Sequence, residues 1–181
     1  MLAKRVLIAG PESTGKTTLA VHLGEYFART GWHTAVIEEY ARGWIDDNLC
    51  GNMDGLRFED ITHFGQVQMA LIQRASADNQ LVIADTDAIT SLVYQELYFG
   101  RVAEELRQVC DGEQWDAVLF TAPDVPWIPD SQRNLQGRRE GVSELLLKQF
   151  EQRGLRIMPV RGAWDERFRM ACEALAHVLH G

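Results

Sequence analysis

Short apolar runs alternate along the chain with longer stretches in which apolar residues recur every three or four positions. The runs at 6–9, 34–37, 81–84, 115–120 and 155–160 are short and rich in valine, isoleucine and leucine. Such runs suit strands buried on both faces. Between them, Leu19, Leu23 and Phe27 share one helical face, and Gly31 is placed to end that helix. Ile61, Phe64, Gln68, Leu71 and Ile72 mark a second helix over 59–77, and Ile89, Leu92, Val93 and Leu97 a third, running to Gly100. Val102, Leu106, Val109 and Cys110 follow, then Val142, Leu145, Leu146 and Phe150, and finally Phe168, Ala171, Cys172, Leu175, Val178 and Leu179. Residues 46–57, crowded with Asp, Asn and Gly, read as an exposed loop. Strands alternating with helices predict an α/β protein whose parallel sheet is covered on both faces. Ligands in such sheets bind beyond the carboxyl ends of the strands.

The first junction carries chemistry. Residues 10–17 read Gly10-Pro11-Glu12-Ser13-Thr14-Gly15-Lys16-Thr17, which is G-x-x-x-x-G-K-[ST], lying between a predicted strand and a predicted helix. In that context the loop turns its backbone N–H groups inward as an anion nest, and the helix adds its positive N-terminal dipole. Lys16 is suited to the β- and γ-phosphates of a nucleoside triphosphate, and the Thr17 hydroxyl to Mg²⁺. Thr18, next in the chain, joins the predicted nucleotide contacts with Gly10, Glu12, Ser13, Thr14 and Gly15. The fold expected is a P-loop NTPase three-layer αβα sandwich with a five-stranded parallel sheet, nucleotide-kinase-like, in a single domain over 1–181.

Composition narrows the partners. A net charge of −8 argues against nucleic acid or an anionic membrane as the main partner, and leaves small molecules. Cys50, Cys110 and Cys172 form no C-x-x-C pair, which fits reduced thiols in a cytoplasmic protein. No histidine sits at metal-ligand spacing, and no apolar stretch reaches transmembrane length.

A phosphate loop is shared by kinases, GTPases and motor ATPases. No lysine here follows an asparagine, so the Asn-Lys-x-Asp guanine reader is absent, and there is no Leu-Ser-Gly-Gly-Gln signature. What remains is acidic groups after strands two and three and an arginine-bearing segment after strand four, the layout of a small-molecule kinase. Asp85 ends an apolar strand as a magnesium-linked acid does, whereas Asp87 suits either a helix cap or a substrate ligand. Glu38 and Glu39 follow strand two. Side chains alternate there, so one of the two faces the cleft, and Glu39, paired with Arg42, is the candidate base. Segment 123–141 carries three prolines with Arg133, Arg138 and Arg139, and reads as a lid. Arg133 is the first choice for charge stabilisation at the γ-phosphate, where catalysis is mainly positioning and electrostatics.

In order along the chain stand the phosphate loop, Glu39-Tyr40-Ala41-Arg42, Gln66, Asp85-Thr86-Asp87-x-Ile89-Thr90, Trp127-x-x-Asp130-x-x-Arg133 and Trp164-Asp165-Glu166-Arg167-Phe168. This set resembles the ribosylnicotinamide kinase domain of the NadR-type NAD biosynthesis proteins, over essentially the whole chain. The resemblance implies ATP and Mg²⁺ as cofactors and phosphorylation of the 5′-hydroxyl of nicotinamide riboside to the mononucleotide. It implies that Glu39, Tyr40, Arg42, Gln66, Asp87 and Tyr98 lie on the substrate side, and the segment 162–167, with Trp164, near adenine. Where the family has an aromatic residue before Glu-Tyr-x-Arg, this chain has Glu38, which could instead attract a cation. Another nucleoside, thiamine or a small alcohol is the alternative acceptor, and an ATP-binding regulatory module without phosphotransfer the alternative of another class.

Overall fold

Five strands form the sheet of the computed structural model, which describes residues 2–180. In chain order they are β1 (Lys4–Ala9), β2 (Thr34–Ile37), β3 (Leu81–Asp85), β4 (Ala117–Thr121) and β5 (Ile157–Val160). They stand side by side as β2-β3-β1-β4-β5, every pair parallel. The helices are α1 (Lys16–Arg29), α2 (Tyr40–Leu49), α3 (Phe58–Asp78), α4 (Ala88–Phe99), α5 (Glu104–Asp111), α6 (Arg139–Gln152) and α7 (Trp164–His180).

Alternation along the central strands makes the layers. Val6 and Ile8 of β1, with Leu81 and Ile83 of β3, pack on Leu19, Leu23 and Phe27 of α1 and Ala171 and Leu175 of α7. Leu7 and Ala9, with Val82, Ala84, Val118 and Phe120, turn to the other face, against Ile72 of α3, Leu92 of α4, Leu106 of α5 and Leu146 and Phe150 of α6. Both faces of β1 and β3 are therefore dry, which explains why these strands read as unbroken apolar runs. Gly24 lets α1 approach the sheet edge: a Cβ there would collide with Val36.

One stretch departs from the expectation. Residues 46–57 hold the second half of α2 and a 3-10 turn at Met53–Gly55. Asp46, Asp47 and Asn48 lie on the solvent side of α2. Its inner side carries Tyr40, Trp44, Ile45 and Leu49, which pack with Ile61 and Phe64 of α3 in a small separate cluster. Polar letters on the outer face hid a helix whose apolar residues recur at three- and four-residue spacing. Arg139, expected within the lid loop, instead opens α6, and Arg138 closes a 3-10 turn at Gln136–Arg138.

Candidate active site

Gly10 follows β1 with φ +146°, and a Cβ there would run into Thr121 of β4, so only glycine lets the chain turn at the carboxyl end of this central strand. Ser13 (φ 58°) and Gly15 (φ 81°) are also left-handed, which curls the loop into a nest of amides ahead of α1. The buried Thr14 hydroxyl donates to Pro11 O at 2.9 Å and shares a 2.7 Å hydrogen bond with Thr121 Oγ1, locking the loop to β4. Lys16 Nζ lies at the mouth of the nest, 2.9 Å from Pro11 O.

Beyond the loop opens a cavity lined by Glu12–Thr18, Glu39, Arg42, Gln68, Thr86, Thr90, Ser91, Tyr94, Tyr98 and Arg133, with an apolar wall of Ile45, Met53, Leu56, Ile61 and Phe64. The carboxyl ends of β1, β2 and β3 and the lid segment thus converge. Thr17 Oγ1 donates to Asp85 Oδ2 at 2.5 Å. Asp85 is 1% exposed, and its other oxygen, Oδ1, is buried and accepts no hydrogen bond. Burial raises the Asp85 pKa, opposed by the Lys16 charge and the Thr17 hydroxyl. Burial and then the Asp85 charge likewise raise that of Glu39, against Lys16 and Arg42. Glu12 is also held above the ordinary carboxylate range by burial. Its Oε2 accepts the Leu135 N–H of the lid segment at 3.1 Å.

The lid segment is strapped down at several points. Ser13 Oγ accepts the Ile128 N–H at 2.8 Å, Gln132 Nε2 donates to Asp46 Oδ1 at 2.7 Å, and Tyr98 OH donates to Asn134 Oδ1 at 2.9 Å. Arg42 Nη1 and Nη2 fork onto Asp130 Oδ2 at 3.0 and 2.9 Å. The Gln132 N–H and then Arg42 keep Asp130 below the usual carboxylate range. Arg133 reaches the cavity and donates to Ile128 O at 2.8 Å, whereas Arg138 is exposed and Arg139 donates to Val125 O at 3.0 Å beside Trp127.

Several expected contacts are placed differently. Arg42 pairs with Asp130, not with Glu39, although both Arg42 and Glu39 line the cavity. Asp87 is 1% exposed and caps α4, its Oδ1 accepting Thr90 N at 2.8 Å and Thr90 Oγ1 at 2.7 Å, so it faces inward and lies off the cavity lining. Gln66 is exposed on the far side of α3, and Gln68, two residues on, takes the inward position. Tyr40 is off the lining, with its OH 3.2 Å from His63 Nε2. Trp164 lies outside the cavity, its ring over Gly15, where an added Cβ would come 3.4 Å from Cζ3. Glu38 is exposed and lies off the cavity lining. Tyr94 does line the cavity, with its ring centroid 5.9 Å from that of Tyr98. The four-residue spacing of these tyrosines on a helix was the signal that could have found it.

Three comparisons bear on this geometry. The model of the AAA domain family AAA_28 matches residues 5–167. The trifunctional NAD biosynthesis/regulator proteins NadR of Salmonella typhimurium and of Escherichia coli K12 are each 26% identical, over 97% of this chain and 43% of their own length. A crystal structure of NadR in complex with NAD and AMP-PNP superposes with a TM-score of 0.79 at 26% identity, covering 99% of this chain and 50% of that one. One of NadR in complex with NR gives 0.78 at 26% identity, covering 98% and 51%. Thymidylate kinase from Ehrlichia chaffeensis shares the fold, with a TM-score of 0.71 at 15% identity, over 98% of this chain and 100% of its own. The chain thus spans about half the length of its NadR relatives or less. The sheet order, the phosphate loop and the matched span agree: the chain belongs to the AAA_28 family of P-loop AAA domains, with the architecture of a nucleotide kinase.

Proposed function

We propose that the chain is an ATP-dependent kinase that phosphorylates the 5′-hydroxyl of nicotinamide riboside. The observation that carries this reading is the character of the cavity beyond the phosphate loop. Two carboxylates, Glu12 and Glu39, and two tyrosine rings, Tyr94 and Tyr98, line it. Of its cations, Lys16 sits at the phosphate loop, Arg42 is engaged by Asp130, and Arg133 belongs to the lid. Such a chamber suits an acceptor carrying a positive ring, through charge and through the faces of aromatic side chains. It does not suit an acceptor already bearing a phosphate, which would call for free arginines. The relative solved in complex with NR supports the same direction.

In this reading Glu39 accepts the proton of the acceptor hydroxyl as its oxygen bonds to the γ-phosphorus. The bond from that phosphorus to the β-bridging oxygen breaks, and ADP leaves. Lys16 and Arg133 offset the charge that develops on the transferred group, and the lid keeps water out. Thr17 and Asp85 are the residues that would hold Mg²⁺, and the buried, unpartnered Asp85 Oδ1 fits that use. Mg²⁺ keeps several waters and draws ligands from substrate phosphates, so these two residues would suffice beside the triphosphate. When bound it neutralises phosphate charge.

The test is ADP release with Mg·ATP against a panel of nicotinamide riboside, thymidine, thymidylate and thiamine. Release stimulated by the riboside above the others is expected. Preference for thymidylate would overturn the charge argument, and no stimulation by any acceptor would overturn the kinase reading.

A further inference from the structure

The hydrogen-bond ladder between β2 and β3 stops at the pair Ile37 and Ala84. Immediately beyond it lie the two acids that the site depends on, Glu39 and Asp85. Parallel strands that part company lose the bonds that fix their spacing. Here one side chain from a third element replaces them. Gln68 of α3 is 3% exposed. Its Oε1 accepts the Tyr40 N–H at 2.9 Å, and its Nε2 lies 3.3 Å from Glu38 O on the β2 side. The same Nε2 lies 3.2 Å from Asp85 O and 3.4 Å from Thr86 O on the β3 side. A primary amide is the one neutral side-chain group that can accept on one atom and donate twice from the next. Thr86 also has φ +70°, a conformation that β-branched residues rarely adopt. Its carbonyl lies 3.4 Å from Gln68 Nε2, and its N–H donates to Ile8 O at 3.2 Å. That turn sends Asp85 towards Thr17 and Asp87 inward beneath α4.

We propose that Gln68 is a positioning residue for phosphoryl transfer. It clamps the diverging ends of β2 and β3, so that Glu39 and Asp85 keep a fixed relation to each other and to the phosphate loop. The proposal rests on the kinase reading above. Gln68 lines the cavity, but its amide is taken up by backbone groups, so it acts through the backbone on either side of the two acids.

Gln95 provides the matched control. It is fully buried, with Nε2 donating to Phe58 O at 2.8 Å and Thr62 Oγ1 at 2.7 Å, and Oε1 accepting Ala103 N at 2.8 Å. It is absent from the cavity lining. Gln68→Met and Gln95→Met each delete a buried, fully bonded amide, and both should lower Tm. In Gln68→Met, kcat at saturating ATP and nicotinamide riboside should fall about 10–100-fold while both KM values move less than about threefold, the mark of misplaced rather than missing groups. Gln95→Met should keep kcat. Should Gln68→Met fail to fold, Gln68→Glu retains the acceptor for Tyr40 N–H but loses the donors, and the same split is expected.

A second readout needs no acceptor. Amide hydrogen exchange in the ligand-free chain should accelerate at 38–42 and 85–87 in the Gln68 variants and not in Gln95→Met. Equal exchange at those positions in both variants, or an unchanged kcat in Gln68→Met, would overturn the proposal. A wild-type chain inert towards nicotinamide riboside would refute the acceptor and leave the exchange comparison to decide the role of Gln68.

Discussion

Arg167 is 1% exposed, and its guanidinium joins the phosphate loop to the segments that follow β4 and β5. Nη1 donates to Thr14 O at 3.1 Å, Nε to Gly162 O at 2.9 Å, and Nη2 to Ala122 O at 3.0 Å and to Asp124. Replacing it by methionine keeps much of the stem volume and removes every donor. Of the acceptors, Thr14 O is fully buried, and leaving it unpaired costs about 1–3 kcal/mol. The Gly162 and Ala122 carbonyls are only partly buried and regain water, so about 0.5–1 kcal/mol each is reasonable. Asp124 is 40% exposed and contributes little as an ion-pair partner. Arg167→Met should therefore cost about 3 kcal/mol, or about 6–12 °C in Tm for a chain of this size. Arg167→Lys, a point donor on a shorter reach, should recover part of this. Because Thr14 belongs to the phosphate loop, KM for ATP should rise about tenfold, corresponding to about 1.4 kcal/mol, with KM for the acceptor little changed. Urea denaturation and initial-rate kinetics on the same preparations give both numbers. A loss below about 1 kcal/mol, smaller than one buried unpaired carbonyl, would show that Arg167 does not hold these segments together.

Lys16→Ala should lower kcat by at least about 10²-fold, as removal of one preorganised charge does, while Tm stays near wild type, since its bond is to the loop carbonyl of Pro11. Glu39 is raised above the ordinary carboxylate range by burial and by Asp85. As a base it must be deprotonated, so kcat should fall as pH drops through that raised value, starting at a higher pH than for a free glutamate. Glu39→Gln should lower kcat about 10²–10⁴-fold and remove this limb from the pH profile; a limb that persists would assign it to another group. Glu113, half-buried beside Asp87 and accepting the Trp115 Nε1–H at 2.7 Å, is pushed well above its ordinary value by desolvation and then by the Asp87 charge. A carboxyl with a raised folded-state pKa stabilises the fold fully below its unfolded value, and that contribution is lost as pH rises through the folded one. Glu113→Gln keeps a donor for Asp87 and should flatten the decline of stability on the alkaline side, read as the urea midpoint across pH 5–9. An unchanged slope would place the proton elsewhere.

The architecture was legible because β1 and β3 are dry on both faces and the helices beside them carry clear apolar stripes. The phosphate loop was legible because its glycines answer to φ values that other residues avoid. The acceptor half was harder to read. α2 hid behind Asp46, Asp47 and Asn48 because its apolar face meets a small local cluster instead of the main core. Asp87 offered two roles in the sequence, and only its burial and its bonds to Thr90 mark it as a cap. Sequence proximity pairs Arg42 with Glu39, whereas Asp130, 88 residues away, reaches it through the lid. Gln68 was visible as one more member of a buried helix face. That its amide spans two strand ends depends on where β2 and β3 separate, which periodicity does not encode.

In the proposed function this chain moves the γ-phosphoryl group of ATP to one hydroxyl of a ribosyl pyridinium. Incubation with Mg·ATP and nicotinamide riboside, followed by phosphorus–proton correlation NMR of the product, distinguishes transfer from hydrolysis. Equal amounts of ADP and a new monoester whose phosphorus couples to the two 5′ protons of the ribose are expected. Formation of ADP with only inorganic phosphate, or a phosphorus that couples to a different ribose position, would contradict that function.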